Sequence, residues 1–360
     1  MDTQRMLNTF CELVKIPSES PDDHEFIKHM DELLKKEGAK TQKDAYGNLI
    51  AKFEAKNSSN NEPIMFCCHA DTVKPGIGIK PIIDHQNGVV KTDGTTILAA
   101  DDKAGITQVL EMLQSAKKHP PIEFIITRCE EIGLLGSMNL DYSLIRSKFG
   151  YVMDTGVGGR MVIGAPTLIE LDVDFKGRAS HAGMAPEKGI SAITTSAQAI
   201  SKLKFGKLDE ETTANIGTIH GGEIRNGVPE HTKLQVECRS LVHEKAVKVA
   251  DEMERVFKET AKENGAEVFI ERKLSVSAYS ISTDSRPVKV AKDCYTKNDI
   301  TPDITKIRGA SDAAHFNSHG IATIVLGVGY RDAHSKSESL VIKEMEYTAK
   351  VLTDLVESLA

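Results

Sequence analysis

The sequence predicts an α/β protein, in which a mixed, mostly parallel sheet flanked by helices carries an inserted α+β domain. Three continuous apolar segments, residues 64–68, 122–127 and 151–153, are typical of strands covered on both faces. Between the first two, residues 106–113 repeat apolar side chains at helical spacing. Strands that alternate with helices favour a parallel sheet. At 360 residues the chain also exceeds what one apolar core usually supports, so we expect two domains.

The middle of the chain has a different order of elements. Residues 168–175 alternate apolar and polar side chains, which predicts a half-exposed strand. A helix, two strands, a long helix and a last strand are predicted to follow at residues 190–203, 214–219, 234–238, 244–262 and 267–270. The order βαββαβ is that of a ferredoxin-like unit. We therefore predict an inserted domain at residues 166–275, within a larger domain formed by residues 1–165 and 276–360.

The two ends of the chain return to the α/β pattern. The predicted elements there are helices at residues 2–14, at 287–297 and from Glu338 onward, with strands at residues 305–307 and 321–326.

Composition excludes several classes of function. Asp and Glu outnumber Lys and Arg by 52 to 45 and no basic run occurs, so we expect no nucleic-acid partner. The most apolar late stretch, residues 321–328, is far shorter than the roughly 20 residues that span a bilayer, so we expect no membrane span. The six cysteines show no C-x-x-C spacing, which favours free thiols in a reducing cytoplasm.

Histidines and carboxylates follow the ends of the predicted strands. The candidate residues are His69, Asp71, Asp101, Asp102, Glu130, Glu131, Asp154 and His334. Two imidazoles and several carboxylates at strand ends are the ligands that a two-zinc hydrolase needs. The sequence therefore predicts a site for two divalent metal ions at one edge of the sheet.

The spacing within each motif suggests a division of roles. His69 and Asp71 are two residues apart, so both side chains point the same way; His69 would bind metal while Asp71 orients its imidazole. Asp101 or Asp102 would bridge the two metals, and Asp101 is favoured because Asp102 could instead cap the following helix.

Glu130 and Glu131 are adjacent and point in different directions, which suits one metal ligand and one general base. Charge balance supports the ligand count. Three carboxylates, from Asp101, Glu131 and Asp154, together with one bridging hydroxide would neutralise two divalent cations.

Together these motifs resemble those of the co-catalytic dizinc metallopeptidases, the family of peptidase T, glutamate carboxypeptidase and zinc aminoacylase. The resemblance covers essentially the whole chain and is carried by residues 69–73 (HADTV), 100–105 (ADDKAG), 130–133 (EEIG), 153–154 (MD), 177–183 (GRASHAG) and 333–334 (AH). Residues 93–96 (DGTT) and 334–338 (HSKSE) are most similar to peptidase T-like tripeptidases.

For the metal centre, the resemblance implies a bridging Asp101. One zinc would also bind His69 and Asp154, and the other Glu131 and His334. Glu130 would be the general base and Asp71 the residue that orients His69. Zinc is the expected metal, with cobalt and manganese as alternatives that suit the same ligands.

For the inserted domain, the resemblance implies a lid and dimerisation role, which could pair two copies into a homodimer. His181 would stabilise the oxyanion, and Asn226, Arg239 and Arg308 would contact substrate. His181 could instead cap its loop, and Arg239 could merely pair with a neighbouring acid. Arg308 is the better candidate for a substrate carboxylate, since guanidinium binds such groups in a bidentate manner.

The resulting hypothesis is a cytoplasmic dizinc exopeptidase that acts on short peptides, in the manner of a tripeptide aminopeptidase. A metal-bound hydroxide would attack the peptide carbonyl, with Glu130 as general base. One alternative is an N-acyl amino acid amidohydrolase or a carboxypeptidase of the same family. A more remote one is a non-catalytic, metal-dependent binding protein.

Overall fold

Two units, each with its own sheet and apolar core, form the chain in the computed structural model, which describes residues 1–360. The core unit comprises Met1–Gly164, Ser280–Ile307 and Ser311–Ala360. The inserted unit comprises Ala165–Tyr279 and Arg308–Ala310.

The strands are numbered along the chain. They are β1 (Lys40–Lys43), β2 (Leu49–Phe53), β3 (Ile64–His69), β4 (Ile82–Asp84), β5 (Val89–Lys91), β6 (Ile122–Thr127), β7 (Phe149–Thr155), β8 (Arg160–Val162), β9 (Gly164–Ala165), β10 (Thr167–Lys176), β11 (Gly206–Lys207), β12 (Thr212–Gly221), β13 (His231–Ser240), β14 (Glu267–Val276), β15 (Tyr279–Ser280), β16 (Asp303–Thr305), β17 (Ala322–Gly327), β18 (Tyr330–Arg331) and β19 (Ser339–Val341).

The α-helices are α1 (Thr3–Leu13), α2 (His24–Lys36), α3 (Ala100–Ser115), α4 (Leu135–Met138), α5 (Ala192–Ser201), α6 (His243–Glu263), α7 (Arg286–Lys297), α8 (Ala313–Ser318) and α9 (Ile342–Leu359). Two short 3₁₀ helices lie at Tyr142–Leu144 and Pro186–Lys188. No helix combines the length and the apolar character that crossing a lipid bilayer requires.

The main sheet of the core unit has the order β1-β2-β6-β3-β7-β17-β8-β16. The central strands are parallel: β3 pairs in parallel with both β6 and β7, and β7 pairs in parallel with β17. Every residue of β3 and β6 is buried, which explains their uninterrupted apolar sequences. The carboxyl ends of β3, β6 and β7 therefore meet at one edge, where ligands bind in open α/β sheets.

The sheet of the inserted unit has the order β11-β12-β13-β10-β14 and is antiparallel throughout. In β10 every second side chain, from Thr167 to Phe175, is buried, and α5 and α6 pack against this strand. With β10 and β13 at its centre, this is the ferredoxin-like arrangement, and the predicted fold class is confirmed.

Two differences from the sequence prediction concern the second half of the chain. The terminal helix begins at Ile342 rather than Glu338, because β19 precedes it and the Glu338 side chain is buried. Arg308–Ala310 belong to the inserted unit, where Arg308 Nη2 donates to the carbonyl of Glu210 at 2.7 Å.

Candidate metal centre

The metal-ligand candidates meet at the carboxyl edge of the parallel strands. His69 is the last residue of β3, and Asp154 is the penultimate residue of β7. Glu131 follows the end of β6, Asp101 lies at the start of α3, and His334 lies in the loop between β18 and β19. The parallel sheet thus brings together His69, Glu131 and Asp154. Asp101 comes from α3, and His334, 265 positions after His69, comes from a loop of the antiparallel sheet β18-β19-β5-β4.

One group of ligand atoms surrounds His69, which is only 2% exposed. Its Nε2 lies 3.0 Å from Asp101 Oδ1 and 4.0 Å from Asp154 Oδ1. The ligand atoms of these three residues all lie within 4.8 Å of one another, a spacing that one metal ion could fill.

A second group surrounds His334. Its Nε2 lies 2.9 Å from Glu131 Oε2 and 3.4 Å from Asp101 Oδ2. Asp101 therefore turns one oxygen toward each imidazole, as a carboxylate that bridges two metal ions would. His69 with Glu130 and Glu131 also meets the same spacing, so Glu130 lies within reach of a metal as well.

The electrostatics of the cluster favour bound cations. Burial raises the pKa of Glu130 and of Asp154 well above its ordinary value, and neighbouring carboxylates raise it further. Hydrogen bonds with Asp101 and Glu131 raise the pKa of His334 to about 10. So many buried acids are costly unless positive charge accompanies them. Imidazole and carboxylate donors fit two divalent ions such as zinc, cobalt or manganese.

Asp71 contacts both His69 and the segment after β6. His69 Nδ1 lies 2.9 Å from the backbone carbonyl of Asp71 and 3.6 Å from its carboxylate. The carbonyl accepts the Nδ1 proton, which leaves the Nε2 lone pair free for a metal. The carboxylate itself accepts the backbone N–H groups of Glu130 at 2.9 Å and Glu131 at 3.1 Å, and the hydroxyl of Ser20.

The backbone before Glu130 is held by two further buried side chains. Asn48 Oδ1 accepts the N–H of Arg128 at 3.1 Å, and Asp23 Oδ2 accepts that of Cys129 at 3.3 Å. Cys129 has a φ of 53°, a left-handed conformation that is costly for a residue other than glycine. These contacts fix the direction of the two glutamates, and no local motif identified Asn48 or Asp23.

Three further side chains contact the ligand candidates or the strands that carry them. Asp102, considered as a helix cap, is buried and its Oδ2 accepts the N–H of His69 at 3.3 Å. The hydroxyl of Tyr330 donates to Asp154 Oδ1 at 3.4 Å. Asp312 is buried and accepts the hydroxyls of Thr127, the last residue of β6, and of Ser137 at 2.5 Å each.

His181 and Asn226 lie in adjacent segments of the inserted unit. The N–H of Ala182 donates to the carbonyl of Asn226 at 2.9 Å. His181 Nδ1 accepts the N–H groups of Gly183 and Met184, each at 3.1 Å, so the ring caps its own loop. The neutral ring then carries its proton on Nε2, which makes no hydrogen bond within the unit.

Arg239 and Arg308 are both engaged within the inserted unit. Arg239 forms two hydrogen bonds with Glu237, at 3.1 and 3.0 Å, which is the pairing weighed as an alternative to substrate binding. Its Nη1 also donates to the carbonyl of Arg308 at 3.4 Å. The Arg308 guanidinium in turn donates to the Glu210 carbonyl.

Two family models match this chain. The model described as "Peptidase family M28" matches residues 48–159, the segment that contains His69, Asp101, Glu130, Glu131 and Asp154. The model described as "Peptidase dimerisation domain" matches residues 163–265, most of the inserted unit.

Relatives match over the full length. The protein YqjE of Bacillus subtilis is 38% identical over 100% of both chains. The crystal structure of aminopeptidase PepT from Bacillus cereus is 37% identical with a TM-score of 0.91, covering 100% of this chain and 99% of that one. That of a tripeptidase from Staphylococcus aureus is 34% identical with a TM-score of 0.95, with the same coverage. Sequence and fold agree along the entire length, and the chain belongs to the peptidase T-like family of metallopeptidases.

Proposed function

We propose that this protein is a tripeptide aminopeptidase that works with two zinc ions. The observation that carries the proposal is Asp101, whose two oxygens face His69 and His334 separately within two overlapping groups of ligands. The Bacillus cereus and Staphylococcus aureus relatives, described as an aminopeptidase and a tripeptidase, support the choice of substrate.

In this proposal His69, Asp101 and Asp154 hold one ion, and Asp101, Glu131 and His334 hold the other. Two bound divalent ions lower the pKa of water and polarise a peptide carbonyl. The residues that would hold the second ion are on the more open side, since His334 is half exposed whereas His69 is buried. We therefore expect the ion beside His334 to exchange more readily.

Glu130 is the proposed general base. Its carboxylate accepts no hydrogen bond from the protein, while its backbone N–H is fixed by Asp71. It can therefore take the proton of the attacking water and pass it to the nitrogen of the leaving amine. The Glu130 carboxylate lies within ligand distance of His69 and Glu131, so the proposed base adjoins residues that would hold the ions.

For the inserted unit, we propose that His181 donates its Nε2 proton to the oxyanion of the reaction. The two amide N–H groups that Nδ1 accepts support this role, because they fix the tautomer. Asn226, Arg239 and Arg308 remain candidates for contacts with the peptide, and the match to a dimerisation domain supports pairing of two copies through this unit.

The test compares trialanine with N-acetyl-dialanine as substrates, after loading with zinc, cobalt or manganese in turn. Mass spectrometry identifies the products, and the Glu130→Gln variant serves as the inactive control. We expect cleavage of trialanine to alanine and dialanine, and an isotope label on the first residue to appear in free alanine. Label in the dipeptide, or cleavage of the acetylated substrate alone, would instead indicate a carboxypeptidase or an amidohydrolase.

A further inference from the structure

Glu338 connects two loops that carry metal-ligand candidates. Its side chain lies in the core unit and is 1% exposed. Oε2 accepts the backbone N–H groups of Leu98 at 2.7 Å and Ala99 at 2.8 Å, and Oε1 accepts that of Asp101 at 3.0 Å. Three backbone N–H donors thus converge on one buried carboxylate.

The same residue is fixed with respect to His334, four positions earlier. The N–H of Glu338 donates to the carbonyl of Ser335 at 3.1 Å, and the Ser335 hydroxyl donates to the carbonyl of Asp332 at 2.7 Å. His334 itself has a φ of 63°, so the loop holds it in a left-handed conformation. The Glu338 carboxylate thus ties the His334 loop to the segment that presents Asp101.

We propose that Glu338 is a positioning residue, which sets the place of Asp101 relative to His334 and thereby the affinity for both metal ions. The inference rests on the proposed function, because it takes Asp101 as the ligand shared by the two ions. Displacing a shared ligand weakens both sites, whereas displacing His334 weakens one. Supporting partners of metal ligands contribute about 10–100-fold to metal affinity.

A purely structural role would look different. Asp101 lies in the first turn of α3, which directly follows Leu98 and Ala99, so Glu338 also satisfies an N–H group that the helix leaves unpaired. If capping were its whole contribution, its loss would lower the free energy of unfolding while the folded protein kept its metal affinity. Metal affinity and stability therefore separate the two roles.

The chain offers a matched control in Glu123. It is a 3% exposed carboxylate at the opposite end of β6 from the metal centre. It accepts the backbone N–H groups of Arg146 at 3.0 Å and Ser147 at 2.9 Å. Glu123→Gln therefore disturbs a similar buried contact without touching either ligand-bearing loop.

In Glu338→Gln the side-chain amide has only one oxygen to accept the three backbone N–H groups. Its NH₂ group is a donor, so it faces a backbone N–H with which it cannot form a hydrogen bond. Titration with zinc against a chromophoric chelator gives both affinities, and circular dichroism verifies that each variant is folded. Glu338→Asp, which keeps the charge but shortens the side chain, provides a milder variant if Glu338→Gln does not fold.

We expect two ions in the wild type and in Glu123→Gln at equal affinity, and about 10–100-fold weaker binding of both ions in the Glu338 variants. Wild-type affinity in a folded Glu338 variant, or weakening of one ion only, would overturn the inference. A wild type that binds fewer than two ions would instead contradict the proposed function.

Discussion

The carboxylate of Asp71 lies 2.9 Å from the backbone nitrogen of Glu130 and accepts its hydrogen bond. Asp71 was predicted to orient His69, and its backbone carbonyl does contact that ring. Its side chain, however, mainly holds the segment of the proposed base. One residue thus connects the first candidate ligand with the proposed general base.

Asp71→Asn tests this connection. The amide keeps one oxygen acceptor but presents an NH₂ group to a backbone N–H, which should displace Glu130. Because the His69 contact uses the backbone carbonyl, we expect two bound ions and a kcat lowered about 10–100-fold. Metal content and kcat are measured together, with Ser20→Ala as the milder control that removes one donor. Loss of an ion would show that the carboxylate acts chiefly on His69.

Glu130→Gln removes the proposed base but keeps the size of the side chain. We expect both ions to be retained and kcat to fall about 10²–10⁴-fold, the usual contribution of general acid–base catalysis. Metal analysis by mass spectrometry and turnover of trialanine provide the two measurements. Glu131→Gln is the matched control, since it should lose an ion as well as activity. A Glu130→Gln enzyme with undiminished turnover would remove Glu130 from this role.

His334→Ala and Asp101→Asn should differ in the number of ions they lose. His334 belongs to one ligand group, whereas Asp101 belongs to both. We expect His334→Ala to keep one ion and Asp101→Asn to lose affinity for both, as measured by metal content after dialysis. Retention of two ions by His334→Ala would contradict the ligand assignment. His181→Ala, in the inserted unit, should keep two ions.

Much of the fold follows from local sequence patterns. The unbroken apolar sequences of β3 and β6 reflect burial on both faces, and the alternation in β10 reflects helices on one face only. Such patterns depend on neighbours in the chain, so they can be read without the structure. The predicted start of the terminal helix at Glu338 was wrong. The Glu338 carboxylate binds backbone N–H groups that lie 237–240 positions away, and no local signal reports these contacts.

The same contrast holds within the site. Ligand candidates such as His69, Glu131 and Asp154 were identifiable because they end or follow buried strands, and parallel strands bring their carboxyl ends together. The contacts of Ser20 with Asp71 and of Tyr330 with Asp154 were not identifiable, since they join residues 51 and 176 positions apart. Supporting contacts of this kind depend on tertiary packing alone.

Gly105→Ala should damage both stability and metal binding. In most helices alanine is favoured over glycine by about 1 kcal/mol. Here a Cβ would lie 2.4 Å from Asp102 Oδ1 and 2.5 Å from the carbonyl of Met153, so α3 would have to move away from β7. We expect overpacking to lower the free energy of unfolding by about 1–3 kcal/mol and to weaken metal binding.

Urea unfolding measures the change in the free energy of unfolding. Gly217→Ala, which has ordinary contact distances, is the control, and an equal effect of both would contradict the argument.

His119 should make stability depend on pH in a region remote from the metal centre. The ring is 5% exposed, and its Nδ1 donates to the carbonyl of Pro120 at 2.7 Å. Burial lowers the pKa of His119 below its ordinary value of 6.5, an effect that the Pro120 carbonyl only partly offsets. Between the lowered pKa and 6.5, the unfolded chain binds more protons than the folded one, so the free energy of unfolding falls as the pH falls through this window. Urea unfolding from pH 7.5 to pH 5, with a chelator present to remove metal effects, should show a steeper decline for the wild type than for His119→Gln. His29 is exposed, so the control variant His29→Gln should show the same change in the free energy of unfolding with pH as the wild type. If His119→Gln also showed this wild-type pH dependence, the His119 imidazole would not contribute to it.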